Sequence, residues 1–213
     1  MARIAIVPIA LGLLAACTHT TAGRARARSD AAVRLPAIRS AALLSLDVKE
    51  IEVSAGGIAE SKDDWSKAAR EAMETALVAQ FKARNIDLRR VEPATDSAEE
   101  TNDLRVLAKA VTASIGFPGA SFEYSLGPVA TFLDRYGVDA LVFVYGRGRM
   151  TTAGRAFLWG EVDVTQVAMI VVDRSGEVVW FNTRGLRGAD ADLRRGADQL
   201  MRAMVEDLPA RTP

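Results

Sequence analysis

Four carboxylates and three arginines are the residues of this chain whose types and spacing could do chemistry. Asp139, Glu161, Asp163 and Asp173 could in principle make a carboxylate site, one group giving a proton while another attacks or activates water. Glu161 and Asp163 stand two apart, so on a strand they would share a face. The solvent side of a half-covered hairpin has that spacing too. Gly146-Arg147-Gly148-Arg149, with Arg155 beyond it, is the best binding candidate. Glycines let the backbone approach a ligand, and arginines fork onto phosphate or carboxylate. The run is neither a Walker nor a Rossmann motif, and a flexible hairpin loop with solvated arginines would read the same way. A histidine-based nucleophile triad is excluded from residues 43–213, which contain neither His nor Cys. His19 and Cys17 are alone of their kind, so no Cys/His cluster exists for a zinc site of the usual sort. The expectation is a protein without metal or cofactor that is not an enzyme.

Cys17 carries a different chemistry. Arg3 supplies a positive start, and Ile4 to Ala16 is an apolar run ending in small residues. That is the shape of a secretory signal, too short to cross a bilayer as a helix, which takes about 20 residues. Leu14-Ala15-Ala16-Cys17 resembles the lipobox of bacterial lipoproteins. The resemblance covers the first 20 or so residues. It implies cleavage between Ala16 and Cys17, a diacylglycerol on the Cys17 sulfur, and an acyl chain such as palmitate on the new amino group. Each buried methylene adds about 0.8 kcal/mol of membrane affinity, so two or three chains hold permanently where one does not. The alternative is an ordinary signal peptide with an incidental cysteine. Thr18 follows Cys17, where Asp would favour inner-membrane retention; the resemblance therefore implies the outer membrane, with the domain facing the periplasm.

Composition bounds the remainder. Residues 17–213 are enough for one domain with a sizeable core. Lys plus Arg and Asp plus Glu both number 27, so no global field points to nucleic acid. With Cys17 lipidated no thiol remains for a disulfide, and packing must supply the stability.

The elements that would position these residues follow from periodicity. Residues 17–42 show little of it; Arg24, Arg26 and Arg28 alternate with small residues, and Arg34 and Arg39 follow. This stretch reads as a flexible tether with a reach of roughly 25–30 Å, its arginines either meeting anionic head groups or simply solvated. Residues 43–53 read as a first strand. Trp65, Ala69, Met73, Leu77 and Phe81 recur every four residues and mark a helix, whose stripe is core or else a ligand groove. A second strand spans 86–91. Leu104, Leu107, Ala108, Val111 and Ile115 mark a second helix, in which Glu99 and Glu100 suit the first-turn dipole. Residues 117–125 form a loop with exposed-looking aromatics, and Pro128 opens a third helix ended by Gly137. Residues 138–145 are nearly all apolar and predict a strand buried on both faces. Residues 146–154 read as a loop, 155–173 as a fourth strand, Arg174-Ser175-Gly176 as a tight turn and 177–183 as a fifth strand. Leu193, Ala197, Leu200, Met201, Met204 and Leu208 mark a last helix.

The expected fold class is therefore α/β (α+β). A mixed sheet of about five strands, ending in an antiparallel hairpin, is covered by helices in the order β-α-β-α-α-β-β-β-α. The division is residues 1–16 signal, 17–42 lipidated cysteine and tether, and 43–213 a single domain. Residues 136–144 (YGVDALVFV) and 171–180 (VVDRSGEVVW) resemble a strand and a hairpin shared by periplasmic α/β lipoproteins. These are the curli-secretion-channel lipoproteins, the penicillin-binding-protein activators and the amino-terminal domain of the Tol propeller protein. Asp173 and Gly176 would shape a turn and Trp180 would pack. The resemblance brings no catalytic residue, and the chain has no obvious membrane-hairpin insertion. It implies a scaffold or assembly factor with an envelope-protein or cell-wall partner, and leaves oligomerisation open. The rival expectation is a periplasmic enzyme or small-ligand binder that uses the carboxylates or the Arg/Gly run.

Overall fold

The computed structural model describes residues 20–21, 23–92, 97–115 and 122–208; Cys17, Ala16, His19 and Phe117 lie outside them. Among the described residues the strands are β1 (Thr20–Thr21), β2 (Arg26–Ala27), β3 (Ser40–Val53), β4 (Ala59–Ser61), β5 (Asp87–Arg90), β6 (Ala140–Thr151), β7 (Val164–Val172) and β8 (Val178–Arg187). The helices are α1 (Ala31–Arg34), α2 (Asp63–Lys82), α3 (Ala98–Ile115), α4 (Ala130–Tyr136), α5 (Ala153–Trp159) and α6 (Leu193–Glu206). The strands form one mixed sheet in the order β1-β8-β7-β6-β3-β4, with β2 also on β8 and β5 also on β3. β3 runs parallel to β6 and to β5. β6, β7 and β8 are successive antiparallel neighbours. The expected mixed α/β architecture and its closing hairpin are present.

β6 is central for the reason its sequence suggests. Leu141, Val142, Phe143 and Val144 are each 0 % exposed, because both faces of the strand are covered. On one face Ala69, Met73, Leu77 and Phe81 of α2 and Leu200, Met201 and Met204 of α6 pack on Val142, Val144, Met169 and Trp180. On the other, Ala108, Val111 and Ile115 of α3 and Phe132 and Leu133 of α4 pack on Leu141, Phe143, Ile170 and Phe181. The β7–β8 turn is built as its residues imply. Asp173 Oδ1 accepts the Ser175 amide at 3.0 Å, and Gly176 adopts φ +84 with its Cα against the Gly127 carbonyl, where a Cβ would lie 1.7 Å from the oxygen.

Four expectations require correction. The first concerns residues 23–42, which are no flexible tether. Arg26–Ala27 pairs with Phe181 and Trp180 of β8, and Ala31, Leu35 and Ile38 are buried. The arginines find partners: Arg34 bridges Asp30, Asp173 and Glu177, and Arg28 reaches Asp30 and Glu177. The second concerns the loop of residues 146–154. β6 continues through it to Thr151, paired with β3 on one side and β7 on the other. Two neighbouring ladders hold a backbone whose side chains would not have chosen a strand. The third concerns the start of the fourth strand, since residues 153–159 are helical. The Thr152 side chain caps α5 by accepting the Arg155 amide, and Gly160 closes it in the left-handed region at φ 63. Phe122 and Tyr124, expected to be exposed, are half-buried against the second core.

Candidate functional site

Arg147, Arg149 and Arg155 do not form one site. Arg149 and Arg155 converge on Glu161: Arg155 donates from Nε at 2.9 Å and from Nη2 at 2.5 Å, and Arg149 donates to the same carboxylate. The two guanidiniums hold the Glu161 carboxyl down at about 2, well below the usual carboxylate range. The fork fastens the end of α5 to the end of β6. Arg155 also donates to the Ser54 carbonyl at 3.5 Å, linking α5 to the β3–β4 turn.

What that fork holds out is apolar. No residue of α5 is buried. Phe157 is 89 %, Leu158 63 % and Trp159 67 % exposed, with Val162 following at 45 %. Ile58, on the neighbouring β3–β4 turn, is 73 % exposed. Periodicity had hidden this tip, because Arg155 to Val162 reads as part of a β-rich run; Thr152 and Gly160 were the available signals of a capped helix.

The tip also has an address within the sheet. α5 follows Thr151, which pairs with Val53, the last residue of β3. Val164 at the start of β7 pairs with Arg187 at the end of β8, and Thr20 pairs with Leu186 beside it. Thr20 and α5 therefore lie at the same end of the sheet. Cys17 is three residues before Thr20, a distance the chain spans in about 10 Å or less.

Arg147 goes elsewhere. It is exposed on the sheet face that α3 covers only in part. There an open groove of about 440 Å³ runs over Lys49, Tyr145, Arg147, Gln166 and Thr183, with Lys109 of α3 on its rim. Lys109 pairs with Asp47 at 2.7 Å, and the Tyr145 hydroxyl donates to the Arg105 carbonyl at 2.9 Å.

The four carboxylates do not converge either. Asp139 accepts the amides of Arg39 and Ser40 at 2.9 and 3.0 Å. Asp163 accepts the Thr151 amide and hydroxyl, Asp173 sits in its turn, and Glu161 in its fork. Glu161 and Asp163 precede β7 and do not share a strand face as expected. Each oxygen set has a structural partner. Among the described residues, no three of His, Cys, Asp and Glu gather where they could hold a metal ion.

Sequence reasoning missed one carboxyl altogether. Glu50 on β3 is 1 % exposed, and among the described residues neither of its oxygens has a hydrogen bond of ordinary geometry. Its own amide donates to Ser66 Oγ at 2.8 Å. Gly148, its register partner on β6, leaves room for it: a Cβ there would lie 2.2 Å from Glu50 Oε2. Burial pushes the Glu50 carboxyl up to about 7, helped by the Asp192 charge and opposed by the Leu193 amide and Arg194. A charged residue in an alternating strand ordinarily reads as solvent-facing, so no pattern pointed to it.

No protein-family model matches the chain, and no curated protein matches it. Among solved structures it is similar to a PelC dodecamer from Paraburkholderia phytofirmans, at 17% identity and a TM-score of 0.44, over 90% of this chain and 100% of that one. A variant PelC dodecamer from the same organism gives 18% identity and a TM-score of 0.39, over 91% and 98%. Likenesses at this level carry no functional argument. No described helix is long and apolar enough to cross a membrane.

Proposed function

We propose that this chain is a lipid-anchored protein of the bacterial outer membrane, its domain in the periplasm. It acts there as a non-enzymatic binding or assembly factor of the cell envelope. The observation that carries this reading is the apolar tip: Ile58, Phe157, Leu158 and Trp159 stand exposed at the end of the sheet where Thr20, three residues after Cys17 in the sequence, pairs with Leu186. Exposed apolar patches mark interaction surfaces, and Trp favours the membrane–water boundary, where one side is apolar and the other wet. An anchor at Cys17 would bring this tip to the bilayer and leave the opposite end of the sheet free for a partner. Asp139, Glu161, Asp163 and Asp173 support the non-enzymatic part, since each is already occupied in holding a turn, a strand end or a helix.

Metabolic labelling with a fatty-acid analogue tests the anchor. The wild type should be tagged and Cys17→Ser should not; equal labelling of both would sink the reading. Crosslinking in cells then tests the assembly role. A captured envelope protein or cell-wall fragment is the expected result, and turnover of an envelope substrate by purified protein would overturn the non-enzymatic reading.

A further inference from the structure

The open sheet face holds an arrangement that the fold itself does not need. Lys49 of β3, Arg147 of β6, Gln166 of β7 and Gly185 of β8 are register partners in one row across four strands. The next row is Asp47, Tyr145, Ala168 and Thr183. Lys49 and Arg147 are thus like charges directly opposite each other on adjacent strands, about 4.8 Å apart along the ladder. Such pairs destabilise a sheet. In the neighbouring row Asp47 answers a lysine, Lys109. Lys49 and Arg147 have no ion-pair partner among the described residues, although 19 ion pairs are formed elsewhere.

The surroundings fit an absent counter-charge. Lys49, Lys109 and Arg147 against the single carboxylate Asp47 leave the groove with two net positive charges. Ala168 in one of these rows and Gly185 in the other keep its floor low. Gln166 and Thr183 stand in it, and their side chains form no hydrogen bond within the described residues. Phe181 in the lining is 1 % exposed, and the Lys109 ammonium lies over the Tyr145 ring, 6.0 Å from its centroid, so neither aromatic offers an open plate to a nucleobase. A monocarboxylate would answer one of the two charges. A phosphate monoester carries about −1.5 to −2 near neutral pH on three acceptor oxygens, and answers both at one point. Arginine forks onto two of those oxygens while lysine supplies a point charge. The volume of about 440 Å³ falls in the range of small-ligand sites. It leaves room for a hydroxylated body against Gln166 and Thr183.

We propose that this groove binds a small soluble phosphomonoester of the sugar-phosphate class, its phosphate seated between Lys49 and Arg147 and its hydroxyls on Gln166 and Thr183. The site is independent of the lipid anchor and of the apolar tip.

Calorimetric titration of the full-length protein in neutral detergent tests this. The probes are glucose 6-phosphate, glucose, inorganic phosphate, and vesicles containing phosphatidic acid. Glucose 6-phosphate should bind, glucose should not, and inorganic phosphate should bind more weakly. The Lys49→Gln/Arg147→Gln double variant should lose at least tenfold in affinity. Both side chains are exposed, so the variant should fold normally, and relief of the like-charge pair should hold or raise its melting temperature without ligand. Arg202→Gln, which breaks an ion pair on α6, should bind like the wild type. Undiminished binding by the double variant overturns the proposal, as does binding of glucose and its phosphate alike. Binding to phosphatidic acid vesicles alone overturns it in favour of a lipid-facing surface, and no binding by any probe overturns it outright.

Discussion

Gly148 has no side chain because Glu50 occupies the space beside it. The pair, one on each of two parallel strands, places a buried carboxyl beside Asp192, Asp163 and Arg194, with no hydrogen bond of ordinary geometry among the described residues. An acid raised in the folded state binds its proton more tightly there than in the unfolded chain. The contribution of Glu50 to folding stability is therefore greatest at low pH, falls as pH rises from the unfolded value of about 4.5 to the folded value of about 7, and is level above that. A shift of this size corresponds to about 3 kcal/mol. Asp192, Asp163 and Arg194 face the same group and shape the curve. Glu50→Gln removes the titration while keeping the volume. Thermal melts between pH 5 and 8 should show a falling midpoint for the wild type and a nearly flat one for the variant, with the variant the more stable at pH 8. Parallel curves for the two proteins would mean that Glu50 is solvated. Gly148→Ala should be harmful at every pH, because its Cβ would meet that carboxylate directly.

At the scale of elements, β6 is the strand on which both cores close. Val142→Asp would bury a charge with no partner, at a cost of several kcal/mol, a large share of a typical 5–15 kcal/mol stability. A melting temperature within a degree or two of wild type would contradict the burial described here. Where composition and periodicity agreed, the elements were legible in the sequence. The every-fourth stripe of α2, the apolar run at residues 140–144 and the Asp-x-x-Gly turn at residues 173–176 all sit where their residues point. Residues 146–151 were not legible, because Gly-Arg-Gly-Arg is poor strand material and is extended only through its neighbours' ladders. Residues 153–159 were misread for the opposite reason. Ala-Phe-Leu-Trp suits a strand, but two capping residues decide for a helix. The binding candidates failed as a group with that misreading: once Arg155 is helical, it turns with Arg149 onto Glu161 and leaves Arg147 alone on the open face.

For the whole molecule, the correction at residues 23–42 matters most. If this stretch were a spacer, apolar truncation within it would be silent. Leu35 and Ile38 are 5 % and 4 % exposed in the main core. Leu35→Ala should accordingly cost about 2–4 kcal/mol, read as a lower urea midpoint with an unchanged slope. No change in midpoint would restore the spacer. With residues 23–42 docked, little slack remains between the domain and an anchor at Cys17. The domain would then stand against the bilayer in a defined orientation rather than drift beneath it.

β3 carries a shift of register against β6 between Leu43 and Ser45. Before it, Ala41 and Leu43 point towards α2 and α6, while Ala42 and Leu44 point towards α3. After it the parity inverts: Leu46 and Val48 join the α2 side, and Asp47 and Lys49 emerge in the groove. One surplus residue thus acts as a frame-shift written in three dimensions. Were the same residues to run straight through without the bulge, every downstream letter would be unchanged, yet Asp47 and Lys49 would turn into the hydrocarbon interior and Val48 into water. The irregularity between Leu43 and Ser45, rather than any single letter, decides which face the rest of β3 presents.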